Sequence, residues 1–174
     1  MKIEIPEKKN LVYEMVFKVR WGDMDVMGHM NNTMYFRYLE TARMDWFKSI
    51  GVEGDPKVPG PVLANAFCNF YRQLAYPDEV LLRLYACDPG RSSFHTWGLM
   101  TRVGAPDILC AAGGGTMVWA DVKTGKSVPL PDWVRQRAQY IWRTASARPS
   151  ASPRHPPEQV ELGVGHHVAE RGHA

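Results

Sequence analysis

Between Asn31 and Gly51 the apolar residues return every three or four positions. Tyr35, Tyr38, Leu39, Ala42, Trp46, Phe47 and Ile50 fall on one face of a 3.6-residue period, which predicts an amphipathic helix over residues 32–50. Such a helix is about 30 Å long. Asn31 or Asn32 can cap its start, because a short side-chain oxygen accepts an orphan backbone N–H, and Gly51 suits its end. Elsewhere the period is two. Leu11 to Trp21 reads as a strand with Leu11, Tyr13, Met15, Phe17 and Val19 on one face. Four further runs follow. Residues 62–74 align Val62, Ala64, Ala66, Cys68 and Phe70, and residues 80–87 align Val80, Leu82, Leu84 and Ala86. Residues 92–103 set Phe94, Thr96 and Met100 opposite His95, Trp97 and Leu99, and residues 108–120 complete the set.

The punctuation between runs is turn chemistry: a Gly- and Pro-rich connection over 51–61, Tyr76-Pro77-Asp78-Glu79, Asp88-Pro89-Gly90 and Gly104-Ala105-Pro106-Asp107. Short turns between consecutive strands imply antiparallel pairing. One long helix after the first strand, followed by a four-strand meander, is an α+β layer arrangement whose sheet buries its apolar face on that helix. Gly113-Gly114-Gly115 sits mid-strand, where glycine marks a close backbone approach; it makes room for the helix or for a second subunit. A phosphate-cradling role for the triplet is weaker, since no helix or Lys-Ser/Thr follows it. Residues 131–143 suggest a short terminal helix with Pro131 at its start.

Composition narrows the class. Of 174 residues, 45% are hydrophobic, enough for one packed core. A net charge of +3 is too small and too dispersed to argue for nucleic-acid binding. Cys68, Cys87 and Cys110 are an odd set without paired spacing, which argues against a disulfide framework or a zinc site and suits a reducing compartment. The first ten residues lack the apolar core of a signal peptide, and no run is long enough to span a membrane, so a cytoplasmic protein is the expectation. From Thr144 onward the composition shifts to Ala, Ser and Pro and holds four of the six histidines, with no aromatic residue. Residues 1–143 are therefore expected to form the domain and 144–174 a disordered, solvated tail.

The candidate chemistry lies in the polar loop ahead of the helix, where Asp23, Asp25, His29, Asn31 and Asn32 fall within ten residues. A helix start offers unpaired N–H groups and partial positive charge. A carboxylate beside it is set up for work on a carbonyl: the N–H groups polarise the oxygen, and the carboxylate supplies base or nucleophile. The plainer reading of the same residues is capping and turn chemistry.

Gly22-Asp23-Met24-Asp25, Gly28-His29-Met30-Asn31-Asn32, Tyr35, Tyr38-Leu39-Glu40 and Ala42-Arg43 together resemble the signature of hotdog-fold acyl-CoA thioesterases of the 4-hydroxybenzoyl-CoA thioesterase-like superfamily. Further matches run to about residue 135, and the remainder of the chain is not covered. The resemblance implies one long central helix wrapped by a curved antiparallel sheet of about five strands. It implies hydrolysis of an acyl-CoA thioester to a carboxylic acid and free coenzyme A, with no metal or cofactor, in a homodimer or homotetramer with sites between subunits. A solvated sheet face with Trp97 and Leu99 would be unusual for a monomer, which fits. Asp25, the second carboxylate of the Gly-Asp-x-Asp motif, takes the catalytic place, as nucleophile or as base for a water. Asp23 is the rival actor on bare chemistry, and a loop-stabilising role is favoured for it.

The Gly28–Asn32 stretch matches where the family presents backbone N–H groups to the thioester oxygen, with Asn32 as the foremost donor and Gly28 allowing close approach. His29 is either a general acid–base or substrate donor, or a structural partner of a loop carbonyl. Asn31 and Tyr35 join the substrate contacts, though helix spacing makes Tyr35, Tyr38 and Trp46 core residues first. Glu40 and Arg43 are spaced to pair with each other. Gly90-Arg91-Ser92-Ser93-Phe94 resembles a family run at a strand start, and a guanidinium with two hydroxyls suits a coenzyme A phosphate or pantetheine. Arg72 is a less specific candidate. The His-x-Asn-Asn run departs from the founding aromatic thioesterases, which bears on substrate class more than on reaction type. Two rival functions are an enoyl-CoA hydratase of the same fold and a non-catalytic acyl-binding or dimerisation module. The Gly-His-Met-Asn-Asn run, and the lack of Asn-Pro after the Asp, speak against the hydratase.

Overall fold

The computed structural model describes residues 4–139 apart from Glu53 and Pro56. The expected helix is present as α1, Asn32–Ser49, with Asn31 as its cap and Gly51 in the left-handed conformation (φ 85°) just beyond its end. Its buried face carries Tyr35, Tyr38, Leu39, Ala42, Trp46 and Phe47, as the 3.6-residue period requires. Around it curls one antiparallel sheet of β1 (Asn10–Lys18), β2 (Gly60–Leu63), β3 (Phe67–Phe70), β4 (Glu79–Cys87), β5 (Ser93–Arg102), β6 (Ala105–Asp121) and the two-residue β7 (Lys126–Ser127). This is the α+β hotdog arrangement: α1 supplies one side of the core, and Val80, Leu82, Leu84, Phe94, Met100 and Cys110 supply the other.

Leu39 explains how helix and sheet come so close. It projects onto Gly98 of β5 and Gly113 of β6, which are cross-strand partners. A Cβ on Gly113 would stand 2.6 Å from Leu39 Cδ1, and one on Gly98 would collide with Leu39 Cδ2. Gly113 thus makes room for the helix. At Gly114 and Gly115 the close neighbours are instead this chain's own backbone at Thr96 and Asn65.

Four expectations change. The run 62–74 is two strands. Between the pairs Leu63↔Met117 and Phe67↔Gly114, three residues of the edge oppose two of β6, so one residue is extra and the alternation breaks. Nor is the sheet a four-strand meander: its order is β1-β4-β5-β6 with β2 and β3 both on β6. β1 takes the free edge of β4, and the eight residues after β3 carry the chain past the loop entering α1, where Met30 N–H donates to the Leu74 carbonyl at 2.7 Å. Leu11 does not share the inward face of β1, because the register slips between Leu11 and Tyr13 and leaves Leu11 exposed. Trp97 is not on a solvated face. It is 5% exposed, covered by Phe67 at 4.8 Å between ring centroids, and packed in a second cluster with Cys87 and Ala112 that Ile5 and Leu99 border. That removes the argument for a second subunit at this face.

The terminal helix, α2, spans Asp132–Ala138 with Pro131 at its cap and buries Val134 and Ala138. Residues 140–143 of the expected helix and the expected tail, 144–174, lie outside the described residues. Among the described residues no helix is long and apolar enough to cross a membrane.

Candidate active site

The loop between β1 and α1 is built on Asp23. The residue is 6% exposed; its Oδ2 accepts the Arg20 N–H at 2.9 Å and the Tyr38 hydroxyl at 2.5 Å, while its carbonyl accepts the Asn31 N–H at 2.8 Å. Burial first, and then the bond to Asp23, push the Tyr38 hydroxyl up to about 12. Asp23 is thus a strut between the end of β1, the loop and the helix.

Asp25 is held differently. Its N–H donates to the His29 carbonyl at 2.9 Å, its carbonyl accepts the Gly28 N–H at 3.0 Å, and its Oδ1 accepts the Met27 N–H at 2.9 Å. This is a tight turn closed by its own aspartate. Gly28 has φ 77°, and a Cβ there would meet nothing within 4 Å. The positive φ requires glycine for conformation, and no other atom of the described chain crowds this position. Asp25 Oδ2 has no hydrogen-bond partner among the described residues, so one carboxylate oxygen is fixed and the other is open.

The helix start is equally selective. Asn31 Oδ1 accepts the Thr33 N–H at 2.9 Å and the Thr33 hydroxyl at 2.7 Å, so this side chain is the cap. The N–H groups of Met30, Asn31 and Met34 donate to the carbonyls of Leu74, Asp23 and Asn31. Asn32 N–H, between them, finds no acceptor among the described residues.

Asp25, His29, Asn32 and Tyr35 line one cleft of about 550 Å³. Its far wall comes from the segment after β3: Phe70, Tyr71, Arg72 and Gln73. Tyr35 meets Phe70 edge-on, with ring centroids 4.9 Å apart, and burial raises its hydroxyl pKa. His29 is half-buried; its carbonyl serves Asp25, while its ring makes no hydrogen bond among the described residues. The structure therefore brings together Asp25, His29, Asn32 and Tyr35. Gly28 and Asn31 shape the loop without lining the cleft. Tyr38 belongs to the Asp23 strut, and Trp46, 1% exposed, stacks on Phe47 in the core. Glu40 acts on the buried Arg43 electrostatically, burial being the larger influence and lowering the guanidinium pKa. Cys68, close to Tyr35, is an inert thiol pushed up to about 12 by burial.

Arg91, Ser92 and Ser93 stand apart. The Arg91 carbonyl accepts the Leu130 N–H at 2.9 Å, and the Ser92 carbonyl accepts the Trp119 N–H at 2.7 Å. Ser93 pairs with Val118 of β6, whereas Phe70 at the cleft pairs with Ala111. Seven residues of strand separate those positions, about 23 Å at 3.3 Å per residue. Periodicity places Phe70 on a strand face but not at the cleft, and it does not single out Tyr71 or Gln73; Arg72 is only weakly marked. They reach the site only because β3 pairs with β6, a long-range event with no local signal.

The sequence profile of the thioesterase-like superfamily matches residues 19–138. An uncharacterised protein of Bacillus subtilis (strain 168), YsmA, is 30% identical over 115 residues, which is 66% of this chain and 76% of the relative. Among solved structures, the Pseudomonas aeruginosa protein PA2801, a candidate thioesterase, is 34% identical with a TM-score of 0.69, over 72% of this chain and 97% of that one. A thioesterase of Thermus thermophilus complexed with coenzyme A and Zn is 29% identical with a TM-score of 0.63, over 74% and 93% of the two chains.

Proposed function

The chain belongs to the thioesterase-like superfamily, and from that premise we propose that it is an acyl-CoA thioesterase whose reaction is carried by Asp25. The observation that carries this reading is one cleft holding both an open carboxylate oxygen, Asp25 Oδ2, and an unclaimed helix-start N–H, that of Asn32. The thioester carbonyl oxygen takes the Asn32 N–H, where the positive end of α1 favours the negative charge that grows on it. Asp25 then either attacks the carbonyl carbon or takes a proton from the water that does. The tetrahedral intermediate collapses with cleavage of the C–S bond, and the leaving thiolate takes up a proton; where Asp25 itself attacked, this leaves an acyl-aspartyl anhydride that a water then hydrolyses, releasing the acid and the free carboxylate. His29 lines the same cleft with a ring free to donate to the thiolate. The products are a carboxylic acid and coenzyme A. Support for coenzyme A as carrier comes from the Thermus relative complexed with it. The three free cysteines fit a reducing, cytoplasmic setting. A homodimer or homotetramer with sites between subunits belongs to the same proposal.

The test is thiol release from a panel of acyl-CoA substrates by wild type, Asp25→Asn and Asp23→Asn. Asp25→Asn should keep the wild-type melting temperature and lose about 10²–10⁴ in kcat, the range for a positioned acid or base. Asp23→Asn should lower the melting temperature, because a buried acceptor of two donors is weakened. An active Asp25→Asn enzyme beside an inactive, well-folded Asp23→Asn one would reassign the carboxylate. Substrate turnover without free thiol would point to hydratase chemistry instead.

A further inference from the structure

The cleft wall formed by Arg72 and Gln73 is loop, and its position is set from behind by one guanidinium. Arg102, the last residue of β5, donates through Nε to Asp78 Oδ2 at 2.9 Å and through Nη2 to the Gln73 carbonyl. The same Asp78 oxygen accepts the Ala75 N–H at 3.0 Å, and the Asp78 carbonyl accepts the Val19 N–H at 2.9 Å. Arg102 Nη1 lies 3.9 Å from Cys110 Sγ on the neighbouring strand. The Gln73–Asp78 loop is thus pinned at both ends by a single planar group. Between the pins lies Leu74, fully buried, whose carbonyl accepts the Met30 N–H at 2.7 Å. Met30 sits between Asp25 and Asn32 in the chain and lines the cleft with them.

We propose that Arg102 is a positioning residue of this site. Through the Gln73 carbonyl and Asp78 it fixes Leu74, through Leu74 it fixes Met30, and so it sets the spacing between the Asp25 carboxylate and the Asn32 N–H. The claim rests on reading the cleft as a thioesterase site. Arg102 is not itself among the residues that line the cleft, so it acts through its neighbours rather than by touching the substrate. A lysine cannot replace it: an ammonium is a point charge, while the guanidinium fork serves acceptors in two directions at once. Reacting groups displaced by about 1 Å lose on the order of a hundredfold in rate.

Two measurements on Arg102→Lys test this. The first is kinetics with an acyl-CoA substrate well below the melting temperature: kcat should fall about 10- to 100-fold with KM within about twofold. The second is hydrogen exchange: the Met30 and Ala75 amides should exchange faster, while the Val134 amide in α2 should not change. A purely structural role would lower the melting temperature and leave kcat of the folded enzyme intact, which would overturn the proposal. Loss of kcat with wild-type exchange at Met30 would overturn it too. If Arg102→Lys does not fold, Arg102→Gln, which keeps an N–H donor, takes the same two measurements. A wild type that hydrolyses no acyl-CoA would sink the thioesterase reading, and the exchange comparison would still decide whether Arg102 holds Met30.

Discussion

Asp23 and Asp25 are two positions apart and of the same residue type, yet the chain uses them oppositely. A residue near the end of a short 3-10 turn, Trp21–Asp23, points into the domain; one past it returns to the rim. Asp23 is therefore largely withdrawn from water, and its Oδ2 takes both the Arg20 N–H and the Tyr38 hydroxyl. Asp25, at the cleft, has one oxygen bonded to the Met27 N–H and the other without a partner among the described residues. The pair at Tyr38 has a pH signature. Its hydroxyl is pushed up to about 12 by burial and then by Asp23, whereas an unfolded tyrosine ionises near pH 10. Between those values the unfolded chain has released a proton that the folded chain still holds. The stability this group contributes is therefore full below about pH 10 and is lost as pH rises through about 12. The melting-temperature gap between wild type and Tyr38→Phe should hold steady from about pH 7 to 9 and narrow toward pH 12. The absence of a gap at any pH would mean that the ring stacking on Phe17, which phenylalanine keeps, and not the hydroxyl bond is what Tyr38 provides. The motif's spacing made the two aspartates legible as candidates. Their division of labour needed Tyr38, fifteen residues on, to be seen against Asp23.

At the scale of elements, the contact of α1 with the sheet is as much a matter of missing side chains as of present ones. Gly98 and Gly113 face each other across β5 and β6 and leave a flat seat for Leu39, which is 1% exposed. Any Cβ at Gly98 collides with Leu39 Cδ2, while Leu82 Cδ2 at 3.5 Å is in ordinary contact, so the Leu39 side chain must shift within a filled core. Gly98→Ala should cost about 1–3 kcal/mol, the usual penalty of overpacking a filled core. Leu39→Ala alone should cost about 2–5 kcal/mol as a cavity. The double variant should be less destabilised than the sum of the two, because removing Leu39 vacates the space the new methyl fills. Urea denaturation of the four proteins measures the coupling; strict additivity would show that the seat is not the reason for glycine. The helix itself was legible, since cap, period and stop all agree. The 62–74 strand was not, because one extra residue between two pairings leaves each half alternating correctly while reversing the faces between them.

At the scale of the molecule, the sheet order decides which residues can share a site. β3 on β6 brings Arg72 and Gln73 to Asp25, and no local pattern encodes that pairing; the strand-by-strand pattern gave the layers and left the order open. The same topology holds Ser93, two residues after Arg91, about 23 Å along β6 from Phe70 at the cleft, a strand rising about 3.3 Å per residue. A role for Arg91 at a coenzyme A phosphate is thus easiest to satisfy by a second copy of the chain, each subunit lending its Arg91 to the other's Asp25. Arg91→Ala should raise KM for an acyl-CoA with little change in kcat, and should leave an acyl-N-acetylcysteamine, which carries no phosphates, unaffected. Raised ionic strength should likewise raise the wild-type KM, since an exposed phosphate contact is screened. Mixing decides whose arginine is used. In a mixed dimer of Asp25→Asn and Arg91→Ala subunits, one site receives the native Asp25 of one subunit and the native Arg91 of the other, and the second site receives both lesions. Subunit-crossing sites predict that co-refolding two weak parents restores a fraction of wild-type activity at low substrate, where the Arg91 contact matters. Sites served by a single chain predict none, because each is then missing one of the two groups. Equal loss by Arg91→Ala on the full and the truncated thioester would show that the Arg91 side chain supports the fold or the dimer, and the phosphate role would be withdrawn.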